Sequence, residues 1–88
     1  MTYQIQFTKG VLRQLKKLRL DVKERIEAKI QDLAIEPRPN GVKKLEDEDG
    51  LYRIRVGDYR VIYQILDDIL LVSIVKVKHR REVYRDKN

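Results

Sequence analysis

The chain has 88 residues, 20 Lys+Arg against 14 Asp+Glu, one His, no Cys and no Trp. That length supports one domain spanning residues 1–88, whose core buries only ~60–65% of the unfolded surface. Without cysteine there is no disulfide scaffold, thiol nucleophile or thiolate metal site, and a single His without clustered carboxylates offers no other metal centre. The longest apolar stretch, around Ile69–Val72, is far short of the ~20 residues that span a bilayer. The start of the chain lacks the charged-then-apolar layout of a signal peptide, so the cytoplasm is the expected location and no membrane partner is expected.

Residues 3–7 (Tyr-Gln-Ile-Gln-Phe) alternate apolar and polar and predict a strand. Thr8 suits a helix N-cap. Val11, Leu12, Leu15 and Leu18 follow at helical spacing, with Arg13, Lys16 and Lys17 on the other side. Arg19-Leu20 breaks this helix. Asp21, with Glu24 three residues on, reads as the N-cap of a second. Its apolar stripe is Val22, Ile26, Ile30 and Leu33, and Pro37 and Pro39 end it. Residues 8–36 therefore predict a helical hairpin that needs a surface to cover.

The second half supplies that surface. Residues 43–45 suggest a short leading strand. Leu51–Val56 alternates, Gly57-Asp58 is a two-residue turn, and Tyr59–Leu66 alternates again. Asp67-Asp68 punctuate, and Ile69–Val77 makes the next strand. The predicted fold is α+β: an N-terminal strand, a two-helix hairpin, then a three- to four-stranded antiparallel meander. The helices lie on one sheet face and a short C-terminal tail follows.

The net charge of +6 favours a polyanionic partner. Between Arg53 and Arg85 there are eight Lys/Arg and four acids, and three of those acids, Asp58, Asp67 and Asp68, fall in turns. A two-residue loop at Gly57-Asp58 sets Val56 opposite Tyr59 and Arg55 opposite Arg60. One face then carries Tyr52, Ile54, Val56, Tyr59, Val61 and Tyr63, and the other Arg53, Arg55, Arg60, Ile62 and Gln64. Like charges directly across a ladder cost ~0.2–1 kcal/mol per pair, so stability alone does not select Arg55 against Arg60. A bridging anion would turn that repulsion into a binding site. A three-residue turn around Asp67-Asp68 is the expected connection, and it would set Leu71, Val75 and Val77 toward the core and Lys76 and Lys78 beside the arginines. An even turn would bury Lys76, which is costly. The tail, His79-Arg80-Arg81-Glu82-Val83-Tyr84-Arg85, leaves the last strand close by. The competing reading is an ordinary solvated basic surface.

Leu51-Tyr-Arg-Ile-Arg-Val-Gly-Asp-Tyr-Arg-Val-Ile-Tyr63 and His79-Arg-Arg-Glu-Val-Tyr84, behind the opening Phe7-Thr8-Lys9, resemble the RelE/ParE toxin superfamily, and the RelE branch most. The resemblance covers nearly the whole chain. It implies a toxin of a type II toxin–antitoxin pair, a ribosome-dependent mRNA endoribonuclease without cofactor or metal. The implied partners are a cognate acidic, RelB-like antitoxin and the ribosomal A site with its mRNA. The free toxin would be a monomer and would form a heteromeric complex with the antitoxin. Carried over by position, Arg53 and Arg55 match basic strand residues that are lysines in the best-known member. Arg60 and Arg80 match arginines, and Tyr84 matches a C-terminal tyrosine. The stretch between Arg80 and Tyr84 is shorter here. Some relatives use a glutamate–histidine pair; His79 falls at the histidine, and Glu46 or Glu48 is nearest to the glutamate.

RNA carries its own nucleophile, the 2′-hydroxyl. Catalysis by this set would assign phosphate holding to Arg60, support of the leaving oxygen to Arg80, and the general base to Tyr84 or His79. Arg53, Arg55, Lys76, Lys78 and Arg81 would bind phosphate. Two alternatives stand beside this reading: a ParE-like toxin that inhibits gyrase without nuclease activity, and a non-catalytic nucleic-acid-binding module.

Overall fold

A computed structural model describes residues 2–45 and 50–85, and for 83–85 it describes the backbone path alone. Glu46 and Glu48 lie outside the described residues. Strand β1 (Gln4–Phe7) leads through Thr8 into helix α1 (Lys9–Lys16). The Thr8 hydroxyl accepts the Val11 N–H at 3.3 Å, which satisfies one of the donors that a helix start leaves without an intrahelical partner. Helix α2 (Leu20–Leu33) follows after a short break. Its cap position is Arg19 rather than the expected Asp21, and no side chain caps it. Asp21 sits inside the first turn, where a carboxylate complements the helix dipole, and pairs with Arg19 at 3.4 Å. Leu12, expected in the buried stripe, is 48% exposed.

Strands β2 (Lys43–Lys44), β3 (Leu51–Val56), β4 (Tyr59–Leu66) and β5 (Leu71–His79) complete a five-stranded sheet in the order β1-β5-β4-β3-β2. The meander is antiparallel, and β1 docks parallel to β5 at its edge. The tail folds into a short helix α3 (Arg80–Arg85). The core lies between the helical hairpin and one sheet face. Val11, Leu15, Ile26, Ile30 and Leu33 meet Ile54, Val56, Val61, Tyr63, Ile65, Val72, Ile74 and Val77, all buried. Each fully buried aliphatic side chain contributes ~1.5–3 kcal/mol. Tyr63 buries its ring completely and donates its hydroxyl to the Pro37 carbonyl at 2.7 Å; burial pushes that hydroxyl well above the usual tyrosine range.

The β3–β4 register is the expected one, with Val56 opposite Tyr59 and Arg55 opposite Arg60. Gly57 takes φ +59° at the first turn position, which suits the two-residue hairpin loops that match strand twist. The β4–β5 register departs from expectation. Leu66 pairs with Leu71, so the connection has four residues, a 3-10 turn Asp67–Ile69 closed by Leu70 at φ +51°. An even connection points Val72 and Ile74 inward, not Leu71 and Val75. The ladder then shifts: Tyr63 pairs with Ile74 but Ile62 with Lys76, leaving Val75 as the extra residue of a bulge. The bulge inverts the alternation, so Val77 turns inward and Lys76 and Lys78 turn out. The two lysines reach the predicted face by a bulge rather than by an odd turn.

Beyond Phe7, β1 no longer covers the edge of β5. Helix α1 takes its place: Gln14 Nε2 donates to the Val77 carbonyl at 2.5 Å, and its Oε1 accepts the Val77 N–H at 3.2 Å. One side chain thus satisfies both backbone groups of an edge residue. At the other end of the sheet, Arg38 donates to both Asp67 carboxylate oxygens, at 2.8 and 3.3 Å, and to the Tyr52 hydroxyl at 3.2 Å. Tyr3 donates to the same carboxylate at 2.6 Å.

The Arg38 guanidinium, and after it the Tyr3 hydroxyl, hold the Asp67 carboxyl below its usual range. A folded value below the unfolded one contributes stability that is complete above about pH 4 and is lost as pH falls through the folded value. Asp67→Asn removes that dependence. In urea unfolding followed from about pH 6 to about pH 2, the gap between wild type and Asp67→Asn is expected to be widest at the upper end and to close toward the lower.

Candidate nucleic-acid interface

The sheet face turned away from the helices carries two cross-strand rows. Register places Lys43, Arg53, Ile62 and Lys76 in one, and Arg55, Arg60 and Lys78 in the next. Neighbouring strands lie ~4.8 Å apart, so the backbones of the directly paired cations Lys43–Arg53, Arg55–Arg60 and Arg60–Lys78 are closer together than a Debye length of ~8–10 Å.

Lys43, Arg53, Arg55 and Arg60, with Gly41 and Val42, line an open cavity of about 470 Å³. No acid lines it among the described residues. Arg60 Nη1 donates to the carbonyls of Tyr59 at 3.1 Å and Gly57 at 3.5 Å, which anchors this guanidinium over the β3–β4 turn. Gly41, at φ +87°, turns the chain into β2 and so delivers Lys43 opposite Arg53. Lys43 is the member that sequence reasoning missed. A two-residue strand has no readable alternation, and its pairing with β3 is non-local.

The remaining residues divide. Lys76 and Lys78 line an adjoining groove against α1. His79 pairs with Tyr59 across the ladder and so faces the helix side of the sheet. Its ring meets the Tyr59 ring edge-on at 5.1 Å, and Arg81 and Glu82 line the same cleft. His79 Nδ1 accepts the Arg81 N–H at 3.2 Å, and Glu82 Oε1 accepts the His79 N–H at 3.4 Å. This reciprocal pair has the form of a capping box with histidine in the serine position. The Arg80 N–H donates to the Asp58 carbonyl at 2.7 Å, which ties the start of α3 to the β3–β4 turn beside Arg60. Tyr84 falls in α3, and its side chain is outside the described residues.

Arg53, Arg55 and Arg60 therefore converge with Lys43, Lys76 and Lys78 extend the same face, and His79 and Arg81 face elsewhere. A concave cluster of cations suits a phosphodiester or another closely spaced polyanion.

Two expectations follow from this geometry. Arg55→Thr removes the like-charge pair with Arg60, so urea unfolding should show about 0.2–1 kcal/mol more stability, while RNA affinity falls. His79→Ala removes the α3 cap, worth ~1 kcal/mol, and should accelerate amide hydrogen exchange at Arg81 about fivefold; His79→Asn should preserve protection.

Comparison with known proteins gives consistent matches. The family model described as the ParE toxin of type II toxin-antitoxin system, parDE, matches residues 5–84. The toxin RelG of Mycobacterium tuberculosis is 34% identical over 86 residues, covering 97% of this chain and 99% of that one. The mRNA interferase toxin RelE of Escherichia coli is 29% identical over 90 residues, covering 98% and 94%. Among solved structures, the archaeal RelE–RelB complex from Pyrococcus horikoshii OT3 superposes with a TM-score of 0.82 at 36% identity, covering 91% of this chain and 97% of that one.

Proposed function

The chain belongs to the ParE toxin family of type II toxin–antitoxin systems, and from that premise we propose that it is a toxin of the RelE kind, an endoribonuclease that cuts mRNA on the ribosome. The observation that carries this reading is the cavity shared by Lys43, Arg53, Arg55 and Arg60.

In the proposed reaction the substrate's 2′-oxygen attacks the adjacent phosphorus while a base removes its proton. A 2′,3′-cyclic phosphate forms, the P–O5′ bond breaks, and the 5′-oxygen takes up a proton. The phosphorane gains negative charge on its equatorial oxygens. Arg60, anchored at the hairpin turn, holds that charge, with Arg53, Arg55 and Lys43 around it. Arg80 begins at the Asp58 carbonyl beside this site and supports the leaving oxygen. An arginine stays protonated, so its contribution is charge rather than a proton. Tyr84, matched by the resemblance to a C-terminal tyrosine, is the preferred base. His79 is better accounted for as the α3 cap, since its Nδ1 already accepts the Arg81 N–H.

Among the described residues no strong acid–base pair lies near the cavity, so the rate depends on how the RNA is presented. Binding on the ribosome supplies the in-line geometry that the free strand samples rarely. An acidic RelB-like antitoxin would neutralise the same face or displace α3, and a cytoplasmic location would fit both proposed partners.

Primer extension on ribosome-bound mRNA tests the proposal. Cuts are expected with the wild type, with Arg60→Ala slower by about 10²–10³-fold, and none where the scissile nucleotide is 2′-deoxy. Naked mRNA should be cut far more slowly. The matched family model also carries the ParE name, which favours a gyrase-directed toxin as the second reading. Growth inhibition that survives both Arg60→Ala and Arg80→Ala with mRNA intact would replace the nuclease reading with that one.

A further inference from the structure

Next to the arginine cavity lies a groove of about 440 Å³ between α1 and the second half of β5. Arg13 and Lys17 wall it from the helix, and Lys76 and Lys78 from the strand. Its position follows from the edge substitution described above: Gln14 grips Val77, so Arg13 on α1 and Lys17 at its C-terminal cap come beside the lysines on either side of Val77.

We propose that this groove is a second phosphodiester-binding site, which holds an RNA backbone alongside the one in the arginine cavity. The inference rests on the nuclease reading and extends it.

Three observations carry it. First, α1 contains no Asp or Glu, whereas α2 contains Asp21, Glu24, Glu27 and Asp32. The local excess of base is therefore not shared by the neighbouring helix. Arg13 and Lys17 lie one helical turn apart, so like charges adjoin along α1 as well as across the groove. Arg13, Lys17 and Lys76 form no ion pair with any described residue. Second, the groove and the cavity are linked through one cross-strand pair. Lys78 is the direct cross-strand partner of Arg60, so the row Arg55, Arg60, Lys78 joins the cavity side of the face to the groove side, while Ile62 separates Arg53 from Lys76 in the row beside it; the face as a whole runs from Lys43 on β2 to Lys76 and Lys78 on β5. That distance is three strand spacings, about 14 Å, before α1 adds its own width. Third, the lining suits RNA better than an acidic peptide. Its one apolar side chain is Val75, and a docking peptide needs apolar anchors as well as charge. The one acid, Glu82, is engaged by the His79 N–H at the groove's end.

Gly10 provides a test that does not disturb the fold. It lines the groove, lies in the first turn of α1, and a Cβ there would meet nothing within 4 Å. Either Gly10→Gln or Gly10→Glu replaces glycine by a better helix former, and a carboxylate in the first turn also suits the helix dipole. Only Gly10→Glu puts a negative charge where the backbone would lie.

Binding is measured by fluorescence anisotropy over a salt series. The probes carry 2′-deoxy at the scissile position: a trinucleotide that fills the arginine cavity alone, a longer single strand, and intact ribosomes. Gly10→Gln should bind all probes as the wild type does. Gly10→Glu should bind the trinucleotide normally but lose on the order of tenfold on the longer strand or on ribosomes, with a shallower salt slope. Loss on the strand identifies the flanking message as the occupant, and loss on ribosomes alone identifies ribosomal RNA. Equal binding by Gly10→Glu and Gly10→Gln on both would overturn the proposal, as would stronger competition for the groove by an oligoglutamate peptide than by RNA. Lys43→Ala/Arg55→Ala reads the cavity separately: undiminished trinucleotide binding there counts against the nuclease reading and leaves the groove result standing.

Discussion

The placement of Arg55 directly across from Arg60 is the constraint on which the rest of the binding face depends. It is unfavourable by itself, and it is held by the tight Gly57-Asp58 turn and by the burial of Ile54, Val56 and Val61 on the other face. A slip of one residue would move the arginines into the core and the apolar side chains into water. The hydrophobic core therefore enforces the repulsion. The two arginines are set opposite each other on one face before any ligand arrives, as the proposed site for developing charge requires.

The edges of the sheet matter as much as its centre. On one side β2 is only two residues long, yet it carries Lys43 into the cavity wall. On the other, β1 pairs with the first half of β5, and the Gln14 side chain takes over for the second half. Each edge device covers backbone groups and delivers cations to the same face. The bulge at Val75 does the third part of this work. It lets one strand give Val72, Ile74 and Val77 to the core while still presenting Lys76 and Lys78 outward. Stability and the presentation of the basic face are not separable here, because the same register decisions serve both.

Helix α3 shows a similar economy. Its start is tied to the β3–β4 turn through Arg80 N–H and Asp58 carbonyl, and His79 and Glu82 cap it reciprocally. The histidine, chemically the most tempting general base in the chain, is occupied in holding the helix that carries Arg80 and Tyr84. Its influence on the proposed reaction would then be positional.

Much was legible from residue order because it depends on local rules. The Thr8 cap, the α2 stripe of Ile26, Ile30 and Leu33, the Gly57-Asp58 turn and the Arg55–Arg60 opposition all follow from short-range periodicity and turn chemistry. The tertiary structure alone decided the bulge at Val75, the parallel docking of β1 on β5, the cross-strand approach of Lys43, the basic groove beside α1 and the face on which His79 lies. Each of these depends on which distant segment fills an edge or a register position. That choice is made by packing and backbone hydrogen bonding between segments far apart in the chain, and alternation within one segment carries no trace of it.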